Sequence, residues 1–437
     1  MEKGGISLSE TTSRQKKHKE ALLSRMLSPK AGSDPWITAA VLVLMAFGTV
    51  MVVSTNLGTT LGRTQALYTV IIKQAAFAVL AWEIGVVFIS RFFHYRIARS
   101  LQWLIFGAYL VLLLMTAVFG TDVNGSKAWL QFGTFFSLQP SEFGKPLLIM
   151  TLALSAGSIR HLPKEKQTFF TIFRLPLLQM ALSIVFLGAL QKDFGSLIIT
   201  LGIGLAGMLI PSWNTIEGWQ KGIFYAFLGG MALLLIGVYL TNLFVEMFSN
   251  VPILRHIAIR IENMHDPYLS IHNEGYQPAN ALYGIADSGL FGRGLGSSVR
   301  KYGFLTQAES DYILAIVIEE TGIIGLGLIT VCYVILLWRL MHWALRAKRV
   351  ADKVLFTCSA AYLMLHFFIN IGGVSTLIPM TGVPLLFISA GGSALIAVCI
   401  CIGMVQARVA AVRKAEREIR RRKAGRLPVK TGQPVQA

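Results

Sequence analysis

The chain has 437 residues, of which 54% are hydrophobic and only 14% are charged, and its mean hydropathy is +0.60. A composition this apolar excludes an ordinary soluble domain and predicts several membrane-spanning helices. The formal net charge is +18, but the positive residues follow the sidedness of the predicted loops, so the charge does not indicate nucleic-acid binding.

Apolar stretches recur along the whole chain, most of them near the roughly 17 to 25 residues that a helix needs to cross a bilayer. We therefore predict an all-α integral membrane protein with about ten transmembrane helices in a domain at 36–408, flanked by basic tails at 1–35 and 409–437. The polar residues before the first span argue against a cleavable signal peptide. The spans are predicted near 36–56, 69–89, 101–119, 143–158, 175–190, 195–211, 222–245, 312–338, 353–376 and 386–407.

Basic residues mark alternate loops of this ten-span chain. The N-terminal tail, the loops after spans two, four and eight, and the C-terminal tail are rich in Lys and Arg, and the loops between them are poor in both. Because short basic loops remain in the cytoplasm, we predict that both termini are cytoplasmic. The long connection at 246–311 is then a large extracytoplasmic loop on the outer side of the membrane, and loops of that length usually carry a function.

Two common kinds of site are disfavoured by the local patterns. The stretch GIADSGLFGRGLG at 284–296 lacks the third glycine of a dinucleotide-binding fingerprint, because that position is Ser297, and no strand precedes it. The four cysteines fall inside predicted spans without a CxxC pair, which is typical of apolar packing and of neither a disulfide framework nor a metal site. They are Cys332, Cys358, Cys399 and Cys401.

Polar and ionisable side chains gather at the predicted outer ends of the spans. Such groups are costly at membrane depth and usually mark a site or a pathway, so their convergence predicts a functional site on the outer face. Glu319 and Glu320 lie deeper and need cationic or hydrogen-bonding partners. The outer group comprises Lys73, Lys127, Glu142, Lys145, Lys192, Asp193, Glu309, Asp311, Thr381 and Ser389.

Four blocks of the sequence resemble the signature blocks of the SEDS proteins, the shape, elongation, division and sporulation glycosyltransferases of bacterial wall synthesis. The blocks are NGSKAWLQFG…QPSEFGK, KDFGS, GLFGRGLGSS…FLTQAESDYILAIVIEETGIIG and NIGGVSTLIPMTGVPLLFISAGGSA. The resemblance spans about 36 to 405, and the last block is more similar to FtsW, the division member, than to RodA, the elongation member.

The chain departs from the usual family pattern at four positions. Ala128 replaces a second basic residue, and Lys192 and Leu386 stand where proline is common. Ala390 stands where tyrosine is common. These changes concern helix shape and outer-loop packing more than the acidic centre.

The resemblance implies polymerisation of lipid II, the undecaprenyl-pyrophosphate-linked disaccharide-pentapeptide, at the outer face of the bacterial cytoplasmic membrane, at the division septum. The reaction needs a base for the sugar hydroxyl and positive charge for the departing pyrophosphate, from side chains or a divalent cation such as Mg²⁺ or Mn²⁺ bound by Asp311. No organic cofactor is implied. The expected partners are a class B penicillin-binding transpeptidase and other membrane proteins of the division machinery.

The family's key acid corresponds to Asp311, which we predict to be catalytic, with Glu309, Glu319 and Glu320 as secondary acids. The substrate-binding residues are predicted to be Lys73, Lys127, Glu142, Lys145, Asp193, Thr381 and Ser389.

Other interpretations of the same residues stay open. Asp311 precedes an apolar helical run and could act as its N-cap. Glu142 and Lys145 could form an ordinary (i, i+3) ion pair, and Asp193 could cap span six or pair with Lys192. A lipid II flippase or carrier would use the same cations and an apolar groove for the polyprenyl chain without a base, and a non-catalytic scaffold of the division machinery would not need the acids.

Overall fold

The computed structural model describes residues 28–60, 64–123, 126–133, 136–159, 162–211, 213, 215–241, 243–251 and 255–424. The fold is almost entirely helical, and a helix overlaps each of the ten predicted spans. The first three helices are α1 at Pro35–Asn56, α2 at Thr64–Phe92 and α3 at Tyr95–Phe119. Three short antiparallel strands follow, β1 at Thr121–Val123, β2 at Ser126–Phe132 and β3 at Phe136–Leu138, in the order β1-β2-β3.

The remaining helices are α4 at Pro140–Ser158, α5 at Phe169–Ile172, α6 at Arg174–Leu190, α7 at Phe194–Leu209, α8 at Glu217–Leu240, α9 at Leu243–Ser249, α10 at Arg255–His265, α11 at Tyr276–Ala286, α12 at Ile313–Arg346, α13 at Val350–Val374 and α14 at Gly392–Lys423.

Seven of the described helices are long and apolar enough to cross a bilayer: α1, α2, α3, α8, α12, α13 and α14. The predicted spans four to six correspond to α4, which carries Glu142 and Lys145, and to the shorter apolar helices α6 and α7. The protein is thus a multi-pass α-helical membrane protein, as predicted. The three strands lie in the segment between α3 and α4, which was not predicted to be sheet.

The core forms where α4, α12, α13 and α14 pack together, with α1 against α12 and α7 against α13. In α2 the part Thr64–Leu80 has no buried residue, and in α8 the part Glu217–Leu235 buries only Gln220. Large apolar side chains that are exposed on spanning helices face lipid, where they carry no solvation cost. These two helices therefore form the periphery of the bundle.

At one end of the bundle, Asp34 links α1, α12 and α14. Its side chain caps α1 by accepting from the Trp36 backbone N–H at 2.9 Å and also accepts from Trp343 Nε1 at 2.6 Å. It further pairs with Arg339 near the end of α12, and Gln406 of α14 donates to its carbonyl at 3.0 Å. Because the carboxylate has cationic and neutral donors, the free-energy cost of burying its charge is offset. The start of α1 and the last helix therefore meet at the same end of the bundle.

Candidate active site

Two cavities meet at Asp311, at the end of the bundle opposite Asp34. The larger has a volume of about 500 Å³ and lies between the β1–β3 segment, the start of α7 and the 381–394 segment. The smaller, of about 420 Å³, lies between α10, α11 and the 373–382 segment. Four residues line both cavities: Arg260, Gln307, Asp311 and Gly382. The Asp311 carboxylate is therefore reachable from two chambers.

The backbone around Asp311 is fixed by side chains from distant parts of the chain. Asn370 of α13 donates its amide to the Asp311 carbonyl at 3.1 Å and to the Val383 carbonyl at 2.8 Å. Ser389 donates to the Ser310 carbonyl at 2.7 Å and accepts from the Leu385 N–H at 2.9 Å. Ser389, predicted to bind substrate, thus holds the loop that carries Asp311 and does not line either cavity.

The turn that faces Asp311 contains Gly382. Its φ of +72° lies in the left-handed region, and a Cβ there would lie 3.4 Å from Asp311 Oδ2. A glycine allows both the backbone conformation and the close approach. Arg260 of α10 donates from Nη1 to the Met380 carbonyl at 2.9 Å, which positions a cation beside the same turn.

The environment raises the pKa of Asp311 to about 6. Burial is the main cause, because it disfavours the charged form, and the negative charge of Asp193 adds to it. A hydrogen bond from Ser310 and the positive charge of Arg260 act in the opposite direction. A carboxyl group with a pKa near 6 is better suited to accept a proton near neutral pH than one with an ordinary pKa.

Asp311 does not cap the helix that follows it. Helix α12 begins at Ile313, its N-cap is Tyr312, and no side chain makes a capping hydrogen bond there. The N-cap alternative for Asp311 is therefore wrong, and its carboxylate is free to face the two cavities.

Four other residues of the predicted outer group line the larger cavity: Lys192, Asp193, Glu309 and Thr381. Asp193 also caps α7, because it accepts from the Ser196 N–H at 3.1 Å, and it accepts from Gln139 at 2.9 Å. Glu309 accepts from Asn56 at 2.5 Å. Asp193 and Glu309 line only the larger cavity, so Asp311 is the acid at which the two cavities meet.

Glu142 and Lys145 form a buried pair in α4 and line neither cavity. Lys145 Nζ lies 2.5 Å from Glu142 Oε1, and both side chains are 1% exposed, which separates this pair from an ordinary surface pair of the same spacing. Lys145 Nζ is also 3.3 Å from His366 Nε2, and His366 Nδ1 is 3.0 Å from the Pro384 carbonyl. The pair is connected through His366 to the turn beside Asp311.

Glu319 and Glu320 are fully buried and have the partners that their depth requires. Glu319 Oε1 accepts from Arg300 at 3.0 Å, and Oε2 accepts from Ser298 Oγ at 2.6 Å. Glu320 accepts from Lys301 at 2.9 Å and from Ser54 at 2.6 Å. Both acids therefore connect α12 to the glycine-rich outer segment, residues 289–301. They lie outside the two cavities.

Helix α12 breaks where this segment meets it. Gly322 has a φ of +65°, and the carbonyls of Glu319 and Glu320 accept from the N–H groups of Arg293 at 2.8 Å and Gly294 at 3.0 Å. A helix break exposes backbone groups that need partners in a membrane. The segment supplies them, so its closely spaced glycines serve backbone pairing within the protein.

Lys73 and Lys127 are exposed and do not line either cavity. Lys73 lies on the part of α2 that has no buried residues, and Lys127 lies on β2, where its backbone N–H donates to the Gln191 carbonyl at 3.1 Å. Their substrate-binding roles stay predictions that the geometry of these two cavities does not support.

Arg260 is the most important cavity residue that the sequence did not single out. The 246–311 connection contains five basic residues, and no local pattern separates Arg260 from the others: Arg255, Arg293, Arg300 and Lys301. His366 was also missed, because a lone histidine in an apolar span gives no sign of its neighbour.

No group of three or more His, Cys, Asp or Glu side chains able to hold a metal ion occurs among the described residues. Asp193, Glu309 and Asp311 line one cavity but do not form such a group. A dedicated protein cage for a cation is therefore not found in this part of the chain.

These features define a multi-pass α-helical membrane protein with a polar, two-chambered site at one end of its bundle. The family model described as cell cycle protein, which covers FtsW, RodA and SpoVE, matches residues 35–415. The chain belongs to this family, and the resemblance to SEDS proteins is confirmed.

Two named relatives agree with this assignment. A protein of Lactococcus lactis subsp. lactis (strain IL1403), named probable peptidoglycan glycosyltransferase FtsW, is 29% identical over 379 residues, which cover 80% of this chain and 86% of the relative. A protein of the same name from Thioalkalivibrio sulfidiphilus (strain HL-EbGR7) is 30% identical over 384 residues, covering 85% and 88%.

The fold is similar to that of a chain from a structural study of how a peptidoglycan synthase complex coordinates polymerization and crosslinking. The TM-score is 0.63 and the identity 24%, and the match covers 87% of this chain and 98% of the other. This likeness supports the fold.

Proposed function

We propose that this protein is a peptidoglycan glycosyltransferase that polymerises lipid II into glycan strands at the outer face of the cytoplasmic membrane during cell division. The observation that carries the proposal is the position of Asp311, which lines both cavities. A polymerase must bring a donor and an acceptor to one reacting centre, and two chambers that share one carboxylate provide that arrangement. The FtsW names of the relatives support the activity and the division role.

The chemistry then uses Asp311 as the general base. Its carboxylate takes the proton from the 4-hydroxyl of the acceptor sugar, the hydroxyl oxygen forms a bond to the anomeric carbon of the donor, and the bond from that carbon to undecaprenyl pyrophosphate breaks. The proton leaves Asp311 to water, and the pyrophosphate leaves with the bonding electrons. A well-placed base of this kind typically contributes about 10²- to 10⁴-fold.

Arg260 is the cation that stabilises the departing pyrophosphate, since it lines both cavities. Positive charge that is already in place stabilises negative charge as it develops on the leaving group. Asp311 would be the protein ligand of Mg²⁺ or Mn²⁺ if either ion is bound, and the ion would supply Lewis-acid stabilisation of the departing pyrophosphate.

The decisive experiment incubates the purified chain with labelled lipid II and separates the products on a gel. Formation of glycan polymer is expected, and its size distribution reports processivity. Translocation of lipid II across vesicles without polymer would identify a flippase, and neither activity would identify a scaffold, so each alternative has its own outcome.

The rate of polymerisation should depend on pH with a midpoint near 6, the pKa of Asp311. The base works only when deprotonated, so the rate should rise as the pH increases through that value and fall below it. Replacing Arg260 with Gln removes a positive charge that lowers this pKa, so the midpoint should move to higher pH. Single-turnover rates from about pH 5 to 8 measure both effects, and an unchanged midpoint in Arg260→Gln contradicts the electrostatic role of Arg260.

We further propose that both termini are cytoplasmic, with the Asp311 end outside and the protein at the division septum. Leu269 is 86% exposed at the Asp311 end, and Lys348 is exposed between α12 and α13, while the four native cysteines are buried. In intact cells a membrane-impermeant thiol reagent should label Leu269→Cys and leave Lys348→Cys unlabelled until the membrane is opened. The reverse pattern would invert the topology and place Asp311 on the wrong side for this reaction.

A class B penicillin-binding transpeptidase is the proposed partner, alongside other membrane proteins of the division machinery, because the polymer needs peptide cross-links and the similar structure comes from a study of coordinated polymerization and crosslinking. Co-purification after mild detergent extraction tests the association. Full polymerase activity of the isolated chain, unchanged on adding the transpeptidase, would count against activation by that partner.

A further inference from the structure

A third cavity, larger than the two at Asp311, opens at the end of the bundle that carries Asp34. Its volume is about 670 Å³, and it lies between the start of α3, the end of α4 and the start of α13. Helix α4 has 19 residues and so extends about 28 Å at 1.5 Å per residue. Because α4 begins beside the Asp311 site and ends at this cavity, the two sites lie on opposite sides of the protein.

Three arginines line this cavity, Arg96, Arg99 and Arg349, and among the described residues its lining contains no acid. Within the described part of the chain, Arg96 and Arg349 make no ion pair, and Arg99 donates to the Leu154 carbonyl at 3.2 Å. The nearby carboxylate of Asp352 does not neutralise them, because it accepts from Arg408 at 2.7 Å and from Tyr95 at 2.8 Å. The cavity therefore holds concentrated, uncompensated positive charge.

Two helices begin at the same cavity, which adds to its preference for anions. Tyr95 and Arg96 are the first residues of α3, and Val350 and Ala351 are the first of α13. Among the described residues no side chain caps either helix start, so the first N–H groups of both helices are available at the cavity. Two helix starts and three guanidinium groups form a strong phosphate-binding environment.

Most of the remaining lining is apolar, and Ser100 is among its polar members. The floor includes Ala153, Leu154, Ala156 and Trp213. A neighbouring cavity of about 620 Å³ shares Arg99 and Leu154 and adds other residues, including Trp103, Phe170 and Arg174. Trp103 is 49% exposed and Phe170 is 55% exposed, as expected of aromatic side chains at a membrane interface. A charged cavity bordered by exposed aromatic side chains of the membrane interface fits an amphipathic anion better than a soluble one.

From this geometry we propose that the Arg96–Arg99–Arg349 cavity binds the phosphate headgroup of an anionic glycerophospholipid of the cytoplasmic leaflet, with its glycerol and acyl chains along Trp103 and Phe170. Basic pockets between spanning helices on the cytoplasmic side are suited to such headgroups. The leaflet follows from the proposed orientation, whereas the binding itself does not depend on lipid II polymerisation.

The test titrates phosphatidylglycerol and phosphatidylcholine into the delipidated full chain in detergent and counts bound lipids by native mass spectrometry. The chain should prefer phosphatidylglycerol. The triple variant Arg96→Gln, Arg99→Gln, Arg349→Gln should bind it about 100-fold more weakly, since each basic residue near an anionic surface contributes about fivefold. Equal binding of the two lipids, or no loss in the variant, overturns the proposal.

A matched control removes the same charge elsewhere. Lys348, Lys353 and Lys414 are exposed on the same side of the protein, and none lines this cavity, so changing all three to Gln should leave phosphatidylglycerol affinity within about twofold. An equal loss in the control triple shows a general charge effect and rejects the site.

Two further arms separate the sources of phosphate. Inorganic pyrophosphate at millimolar concentration should not displace phosphatidylglycerol, and undecaprenyl pyrophosphate should compete no better than phosphatidylglycerol itself. Displacement by the soluble anion, or a clear preference for the polyprenyl lipid, rejects a glycerophospholipid site. Arg349→Gln alone, with an expected loss of about fivefold, keeps the test valid if the triple variant is poorly folded.

Discussion

Asp311→Asn should lower the rate of lipid II polymerisation by at least about 100-fold, the lower bound typical of a general acid–base group. The substitution keeps the size of the side chain and removes its ability to accept the proton. Because Asp311 makes no cap for α12, the fold should not change, and thermal unfolding in detergent should match that of the unmodified protein. Polymer formation from labelled lipid II in single-turnover conditions measures the loss.

Glu309→Gln is the matched control for this change. Glu309 lies two residues away and lines only the larger of the two cavities, where Asn56 donates to it, so the rate should fall much less than in Asp311→Asn. The two variants lose the same charge from almost the same place. Near-normal polymerisation by a well-folded Asp311→Asn protein would falsify the catalytic assignment, and an equal loss in Glu309→Gln would assign the effect to charge in the cavity in general.

Lys301→Met should destabilise the protein by about 3 to 5 kcal/mol, the usual cost of removing one partner of a buried ion pair. Lys301 and Glu320 side chains are both 0% exposed and lie 2.9 Å apart. Without the lysine, Glu320 keeps hydrogen bonds from Ser54 and Ser298 but has no cation. The midpoint of thermal unfolding in detergent, followed by tryptophan fluorescence, measures the change.

The exposed pair Lys221–Glu217 provides the control. Its lysine and carboxylate are 2.8 Å apart, but the side chains are 66% and 55% exposed, so water replaces the lost partner and Lys221→Met should leave the midpoint unchanged. Adding Glu320→Gln to Lys301→Met removes the uncompensated charge and should recover part of the loss. If Lys301→Met and Lys221→Met have equal effects, the buried pair does not stabilise the outer segment.

The helical membrane architecture and the approximate location of the site could be predicted from the sequence. Apolar length and loop charge are local properties of a chain, and a described helix overlaps each of the ten predicted spans. Asp311, Asp193, Thr381 and Glu309 were predicted because polar groups at the ends of apolar spans are visible without knowing how the spans pack.

Which of these residues share a cavity could not be predicted, because it depends on how the helices pack. Arg260 reaches the Asp311 turn through Met380, 120 residues further along the chain, and Lys73 faces away on a peripheral helix. Glu319 and Glu320 became anchors of an outer segment because Arg300 and Lys301 fold back onto them. Such pairings depend on the rotation and contact of helices distant in sequence, and burial and charge then set the pKa of Asp311 and the role of each acid.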